Sequence, residues 1–575
     1  MASSPTHPLP DPVRADPHDS RLNSDFVTVR PEPLPPATSQ RTSLPPATFL
    51  RAPSPPATVR APLPLWLAVL VAAAAGPVLA AGFPGISWWP LAFVGVAMVL
   101  ITLWGRRAGT ALLIGFVAGL SFYLVHVNWT ALYLGPLPWI ALSTLEGLFF
   151  AVGAMVIALA YRWIPRVWPT ALARVGLLPV AVAGLWTARE AFVSVWPYGG
   201  FAWGRLALSQ SESPLAPLVA WLGFSGLTFV MVLIVAVILE CVRETRVAVS
   251  TRAIVAIGTV AIVLAIPAWP ATVSGSTRIA AVQGNGPAGY FDVHQPGDVL
   301  NSQVSATLPI LNQKVDMVVW PEGAADIDPT RNQQAAEVLD YLGQAMRAPI
   351  ITGTITQRDG KIYNTSLLWE AGKGAVNYYD KIHPVPFGEY VPDRAFWRPF
   401  APALIDLIGR DYTPGTRPNV FDVNGIKAGI SICFDIADDQ ELTDMMKGGA
   451  QVILAQTNNA DFGTTDENMQ QLAIARLRAI EAGRSLVNIS TVGTSQMIDP
   501  NGRTITSIPD YRAGTMIANV PLGTTTTPAV LFSRGIEYLV SGLGLAALVI
   551  AGATVARQTR PQRAARRAAQ AAKEG

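Results

Sequence analysis

The sequence predicts a polytopic α-helical membrane bundle of eight spans, into which one α/β domain is inserted on the extracytoplasmic side. Three observations carry that expectation. Hydrophobic residues make up 50% of the 575-residue chain and charged residues only 14%, against about 25% charged in a soluble domain. Eight separate stretches are apolar over membrane-span length. Between the seventh and the eighth lies a long polar segment in which short apolar runs alternate with helix-like ones. The 42 basic and 39 acidic side chains are too balanced for a nucleic-acid-binding surface. Two cysteines cannot build a disulfide framework.

Residues 1–62 are rich in Pro, Ser, Thr and Ala, and the tetrad Pro-Pro-Ala-Thr recurs at Pro35, Pro45 and Pro55. They are expected to form a disordered cytoplasmic arm, too long and too rich in proline to be a cleavable leader. A membrane domain over 63–275 follows, with spans at 65–81, 86–104, 108–127, 137–161, 172–187, 218–241 and 254–269. The fifth and seventh are the weakest, being short and bordered by charge or proline. The eighth span, 539–555, lies in a return segment over 525–556, and a basic cytoplasmic tail occupies 557–575.

Orientation follows from the basic residues of the short loops. Arg106, Arg107, Arg162, Arg166, Arg174, Arg243, Arg246 and Arg252 fall on one side, as do Arg557, Arg560 and their neighbours after the eighth span; the other side offers only Arg205. The positive-inside rule places both termini in the cytoplasm. Seven crossings then put the domain over 276–524 outside the cytoplasm, with the chain a multi-pass protein of the cell membrane.

That domain shows apolar runs at 279–282, 317–320, 350–355, 366–369, 428–433, 452–455 and 486–489, with helix-like stretches at 333–346, 441–446 and 467–482. Strands alternating with helices predict an α/β sandwich. It contains one cysteine, Cys433, delivered by an apolar strand to the start of a polar run. If that run opens a helix, its dipole would favour a thiolate and a nucleophilic role; the alternative is a buried structural thiol. Cys241 falls on the opposite membrane face, so Cys433 is expected to be free. Two other strand ends carry charge: Val318-Val319-Trp320-Pro321-Glu322, and Tyr378-Tyr379-Asp380-Lys381. Each alone reads as a solvated terminus. Together with Cys433 they supply a carboxylate, an ammonium and a thiol at intervals of 59 and 52 residues, the set that thiol acyl transfer needs.

Trp320-Pro321-Glu322, the long run from Lys381-Ile382-His383 through Pro386-Phe387-Gly388-Glu389-Tyr390-Val391-Pro392, and Ile432-Cys433-Phe434-Asp435 resemble the nitrilase, or carbon-nitrogen hydrolase, superfamily. Set between seven spans and one, the lysine motif resembles its membrane branch, the apolipoprotein N-acyltransferases. The resemblance implies an αββα nitrilase-like sandwich with Glu322 as general base, Lys381 as cationic member, Cys433 as nucleophile and Glu389 as a supporting glutamate. It further implies transfer of a fatty acyl chain from a phospholipid, through a Cys433 thioester, to the α-amino group of a diacylglyceryl apolipoprotein, the last step of lipoprotein maturation. No cofactor and no metal are expected. Phe434 and Asp435 stand where the family often has Tyr and Glu, and Asp461 where an aromatic is common. These departures bear on donor preference and acceptor fit.

Both substrates carry acyl chains, so the spans are expected to shape a lipid-accessible cavity. Trp129, Trp196 and Trp203 are candidate lipid contacts or an ordinary interfacial belt; Arg189 is expected to pair with Glu190 or to hold a lipid phosphate. Arg476, Arg478, Glu481 and Arg484 read as a scaffold ion-pair set. Some actinobacterial relatives are fused to or paired with a polyprenol-phosphate mannose synthase, which here would have to be a separate partner. Two other functions compete: a membrane-tethered amidase using water as acceptor, and a catalytically silent scaffold that recruits a partner through its proline-rich arm.

Overall fold

The computed structural model describes residues 61–532 and 534–574, so most of the proline-rich arm lies outside the described residues. Each predicted span falls on an apolar helix. Among the described residues, five helices are long and apolar enough to cross a membrane: Ala108–His126, Pro136–Val167, Ala173–Val193, Ala216–Arg243 and Arg534–Pro561. Leu65–Ala80, Pro90–Leu103 and Val249–Leu264 are shorter. Pro90 opens its helix because a first-turn proline needs no amide partner, which leaves 14 residues. These reach about 21 Å at 1.5 Å per residue, short of a hydrocarbon core of about 30 Å.

Small residues let the bundle backbones approach, as membrane helices require. A Cβ built on Gly184 would sit 2.5 Å from the Val540 carbonyl oxygen, and one on Gly544 would sit 2.6 Å from the backbone of Gly184. The last helix is pinned there. It continues to Glu574, so the predicted basic tail is helical. The Ala-, Gln- and Arg-rich composition of that stretch has high helix propensity, which carries the helix past Pro561.

The polar segment folds into two six-stranded sheets. The first has the order β12-β1-β2-β3-β4-β5, where β1 is Val273–Gln283, β2 Met317–Val319, β3 Ile350–Arg358, β4 Lys361–Glu370, β5 Gly374–Asp380 and β12 Gly514–Gly523. The second has the order β11-β10-β9-β8-β7-β6, where β6 is Val420–Val423, β7 Ile426–Ile432, β8 Val452–Thr457, β9 Ser485–Ser490, β10 Ser495–Ile498 and β11 Thr504–Ile508. Each sheet has a parallel centre, β1-β2-β3 and β7-β8-β9, flanked by antiparallel strands. The flanking strands β5, β10, β11 and β12 carry too many polar residues to read as apolar runs in the sequence, and β6 is four residues with Asp422 inside it.

Strand alternation builds the layers. Ala428, Ile430 and Ile432 of β7, with Val452 and Leu454 of β8, meet Ile279, Met317 and Val319 from the first sheet in one core. The outer face of the first sheet packs against helices Asp298–Thr307 and Gln333–Met346 through Leu300, Leu339 and Leu342. Ile453 and Ala455 of β8 point the other way, toward helices Asp439–Lys447 and Glu467–Ala482. The order is helix, sheet, sheet, helix, as the resemblance implied. The core of that second outer layer is continuous with the helix bundle, for Leu472 and Leu477 belong to the same cluster as Ala118 and Phe224.

Charge fastens this junction. Arg478 is fully buried and pairs with Asp439 at 2.7 Å and Glu481 at 2.6 Å, while Arg205 from the bundle reaches Asp439 at 2.9 Å. The ion-pair set read from the sequence therefore narrows to Arg478 and Glu481. Arg484 donates to the carbonyls of Ala450 and Thr525, and Arg476 to that of Gly502 and to Gln496.

Candidate active site

Three strand ends and one loop converge under the bundle. Glu322 follows β2 by way of Pro321, and its backbone passes so close to β3 that a Cβ on Gly353 would lie 2.6 Å from the Glu322 Cα. Lys381 directly follows β5, with its amide bonded to the Asn364 carbonyl at 2.8 Å. Glu389 lies in the Pro386–Tyr390 turn, and its Oε2 accepts from the Val385 amide at 2.7 Å. Cys433 comes immediately after β7. It opens a five-residue 3-10 turn, not an α-helix, and has φ of +52°, the left-handed region that non-glycine residues seldom occupy. The α-helix begins only at Asp439, capped by the Asp438 carboxylate on the Gln440 and Glu441 amides.

The four side chains touch. Lys381 Nζ lies 2.8 Å from Glu389 Oε2 and 3.6 Å from Glu322 Oε1, and its side chain is 1% exposed. Asn364 on β4 binds both carboxylates, donating to Glu322 Oε1 at 2.7 Å and Glu389 Oε1 at 2.9 Å. A hydrogen bond joins Glu322 to the Cys433 thiol, and Gln471 Nε2 approaches Sγ at 3.5 Å.

Burial governs the charge states. It pushes Glu322 above the ordinary carboxylate range against the pull of Lys381, and the Glu389 charge adds to the rise. Burial also works on Glu389, but there the adjacent ammonium and its hydrogen bonds win and the carboxyl is held low. Lys381 would be depressed by burial, yet the two carboxylates hold it well above the usual lysine range, so it is a fixed cation. Burial, then the Glu322 charge, raise the Cys433 thiol well above its ordinary value. The expected helix-dipole activation is therefore absent: the resting thiol is protonated and needs a base.

Asp435 does not face the cavity. It is fully buried behind the thiol, accepting from Tyr379 Oη at 2.9 Å and the His383 amide at 3.1 Å. Tyr379 Oη also lies 3.0 Å from Glu441, and one phenol proton cannot serve two carboxylates. Burial pushes both carboxyls up, Glu441 well above its usual range, where the Asp435 charge adds to the rise. Phe434 instead lines the cavity and stacks on Trp203, with ring centroids 5.6 Å apart and planes 4° apart.

A cavity of about 1130 Å³ opens onto Cys433, Glu322, Lys381 and Glu389, with Trp129, Trp196, Trp203 and Phe434 among its walls. Trp129 also bonds to Gln470 at 3.0 Å and packs on Phe462, so bundle and sandwich share this wall. Arg189 is elsewhere: it pairs with Glu190 at 3.1 Å and lies over the Phe150 ring inside the bundle. It does not line this cavity, and of its two expected roles the structure contains the ion pair with Glu190. Asp461 lines the cavity and accepts from the Tyr290 amide at 2.7 Å.

Asn364, Gln471 and Glu467 were not singled out from the sequence. Glu467 is buried, accepts from Asn459 at 2.7 Å and is pushed up to about 8 by burial. The only signal for Asn364 is its place just before the apolar run 366–369, with Ile362 and Tyr363 on its other side.

Comparison with known proteins gives a consistent set. Residues 75–237 match the model of the apolipoprotein N-acyltransferase N-terminal domain, and residues 278–528 match that of carbon-nitrogen hydrolases. A Mycolicibacterium smegmatis apolipoprotein N-acyltransferase is 30% identical over 505 residues, covering 82% of each chain. One from Pseudomonas aeruginosa is 29% identical over 518 residues, covering 87% of this chain and 98% of that one. Among solved structures, an amidase of the nitrilase superfamily from Nesterenkonia aligns with 94% of its own chain and 44% of this one, at 16% identity and a TM-score of 0.34.

Proposed function

The chain belongs to the apolipoprotein N-acyltransferase family, and from that premise we propose that Cys433, Glu322 and Lys381 carry its chemistry. It is a membrane enzyme that N-acylates lipoproteins with an acyl group from a lipid donor. The observation that carries the residue assignment is the contact set itself: a protonated thiol against a raised carboxylate, beside a buried ammonium that two carboxylates hold charged.

Glu322 takes the Sγ proton, and the thiolate attacks the ester carbonyl of a phospholipid. Lys381 gives one donor to Glu389 at 2.8 Å and stands 3.6 Å from Glu322; its remaining donors serve the developing oxyanion, joined by a backbone amide of the Cys433 turn. Such a donor supplies roughly 2.7 to 4 kcal/mol of transition-state stabilisation. Collapse breaks the bond between the carbonyl carbon and the glycerol oxygen. Glu322 returns its proton to that oxygen, releasing a lysophospholipid and leaving a thioester. The neutral α-amine of a diacylglyceryl-cysteine then attacks, Glu322 accepts the amine proton, and the amide leaves as the thiol re-forms. Glu389 positions Lys381 without touching substrate.

A pH profile tests the base. Activity requires ionised Glu322, so it is lost as pH falls through the raised Glu322 value, and the acid limb lies above the usual carboxylate range. The Asn364 hydrogen bond favours the charged form; Asn364→Ala therefore moves that limb to higher pH, measured as kcat/KM against pH. An unmoved limb would assign the base elsewhere.

The proposed topology is eight crossings, both termini cytoplasmic and the sandwich extracytoplasmic. Support comes from the bundle ends. Arg106 binds the Leu63 carbonyl at 2.6 Å, Arg243 lies 4.1 Å over the Trp104 ring, and Arg174 pairs with Glu240. These arginines therefore share one end. The helix Val219–Arg243 runs from that end, over roughly 35 Å, to the junction where Gly223 abuts Glu481. The sandwich thus meets the arginine-poor end, as the positive-inside rule demands of an external domain. Within this scheme 63–275 is the membrane domain and 276–524 the catalytic one. A polyprenol-phosphate mannose synthase partner rests on the resemblance alone, and its test is co-purification with the full chain.

A further inference from the structure

We propose that Arg410 is the phosphate-binding residue of the acyl-donor subsite, gripping the anionic headgroup of the phospholipid whose ester faces Cys433. The inference rests on the reading of this cavity as the acyl-transfer site. Two strongly basic side chains, Lys381 and Arg410, line the cavity. Lys381 is committed to its carboxylates. Arg410 has no carboxylate within ion-pair distance among the described residues. Its Nε donates to the Gly388 carbonyl at 3.4 Å, Nη1 to Tyr412 Oη at 3.4 Å and Nη2 to Tyr133 Oη at 3.2 Å, and its guanidinium lies 3.9 Å from the Tyr290 ring centroid. All these partners are neutral, and the bonds are at the long limit of hydrogen bonding. Of the other arginines of the junction, Arg478 has two carboxylates and two carbonyls and Arg205 has Asp439 and a serine, while Arg484 and Arg476, which also lack a carboxylate partner among the described residues, do not line the cavity. A half-buried guanidinium whose hydrogen bonds all go to neutral groups, with the Glu389 and Asp461 carboxylates acting on it only from beyond ion-pair range, keeps donors for an anion that arrives with the substrate.

The chemistry and the position agree on which anion. The planar fork of arginine suits phosphate, which it binds through parallel N–H···O bonds. Arg410 holds the carbonyl of the residue before Glu389, and the Tyr412 amide binds the Glu389 carbonyl at 3.0 Å. The guanidinium is thus one residue removed from the Lys381 ion pair. In a glycerophospholipid the phosphate and the acyl esters share one glycerol, so a headgroup on Arg410 leaves an ester within reach of Cys433. Tyr133 belongs to the short bundle helix Thr130–Leu134, which puts Arg410 at the seam between membrane helices and sandwich, where a headgroup enters.

The experiment compares donors with and without phosphate. The full chain, purified in detergent, is given dioleoylphosphatidylglycerol or dioleoylglycerol, and acylation of Cys433 is followed by intact mass for wild type, Arg410→Gln and Arg410→Lys. The expected result is a KM for the phospholipid raised roughly 10- to 100-fold in Arg410→Gln, with kcat little changed. Arg410→Lys is intermediate, and acylation from dioleoylglycerol is the same in all three proteins. Equal losses with both donors would mean that Arg410 only braces its loop, and an unchanged phospholipid KM would place the phosphate elsewhere; either overturns the proposal. A wild type that takes acyl from neither donor onto Cys433 would instead overturn the acyl-transfer reading on which it stands.

Discussion

Cys433→Ala is expected to abolish acyl transfer, by roughly 10⁴-fold or more, while the protein accumulates normally in the membrane. Cys433 supplies the thiol of the cavity lining, and the other cysteine, Cys241, lies in the bundle. The change removes one sulfur from a turn whose backbone already sits at φ of +52°, a strain that alanine inherits unchanged. Glu322 loses only its hydrogen bond to the thiol and keeps that to Asn364. The loss should therefore appear in transfer of a labelled acyl chain to a lipopeptide, with thermal stability close to wild type. A scaffold without catalysis would show no cellular defect in this variant.

Lys381→Met is expected to remove activity and to destabilise the fold together. The ammonium is 1% exposed and neutralises Glu389 at 2.8 Å, with Glu322 at 3.6 Å. Taking away one partner of a buried pair leaves uncompensated charge, which costs about 3 to 5 kcal/mol. Glu389, held low by this cation, would have to take up a proton to stay buried. The double variant Lys381→Met with Glu389→Gln removes both charges and should recover much of the lost melting temperature with no recovery of transfer. That divergence separates the electrostatic support of the fold from the oxyanion donor. Stability and activity recovering together would contradict the role given to Lys381.

What the sequence revealed of the site follows from where information is local. Glu322, Lys381, Glu389 and Cys433 each sit in a short run with a recognisable neighbour, and the structure brings all four into contact. Asn364, which ties the two carboxylates together, belongs to a strand of which only 366–369 is apolar enough to read. Gln471 and Glu467 lie one helical turn apart on a helix whose bounds were legible, but only the fold turns that face toward Cys433. The condition for dipole activation of the thiol, a helix opening at Cys433, fails for a related reason. The polar run after Cys433 does reach a helix, but a 3-10 turn intervenes, and burial then sets the thiol's protonation. For Arg189 the sequence leaves two partners open, and the structure contains the Glu190 pair and the Phe150 ring beneath it; Arg410 carries no signal in a loop without periodicity. The membrane helices were readable as apolar runs, though their ends were set by prolines and by packing against neighbours.

On the proposed mechanism a Cys433 thioester is the obligatory intermediate between phospholipid and lipoprotein amine. The direct test incubates the full chain with a phospholipid carrying a labelled acyl chain, digests it, and reads the mass of the Cys433 peptide before and after a diacylglyceryl lipopeptide is added. The expected result is one acyl group on Cys433, cleaved by neutral hydroxylamine, that disappears as the same label arrives in amide linkage on the lipopeptide N-terminus. Label released only as free fatty acid, or reaching the lipopeptide without ever residing on Cys433, would contradict it.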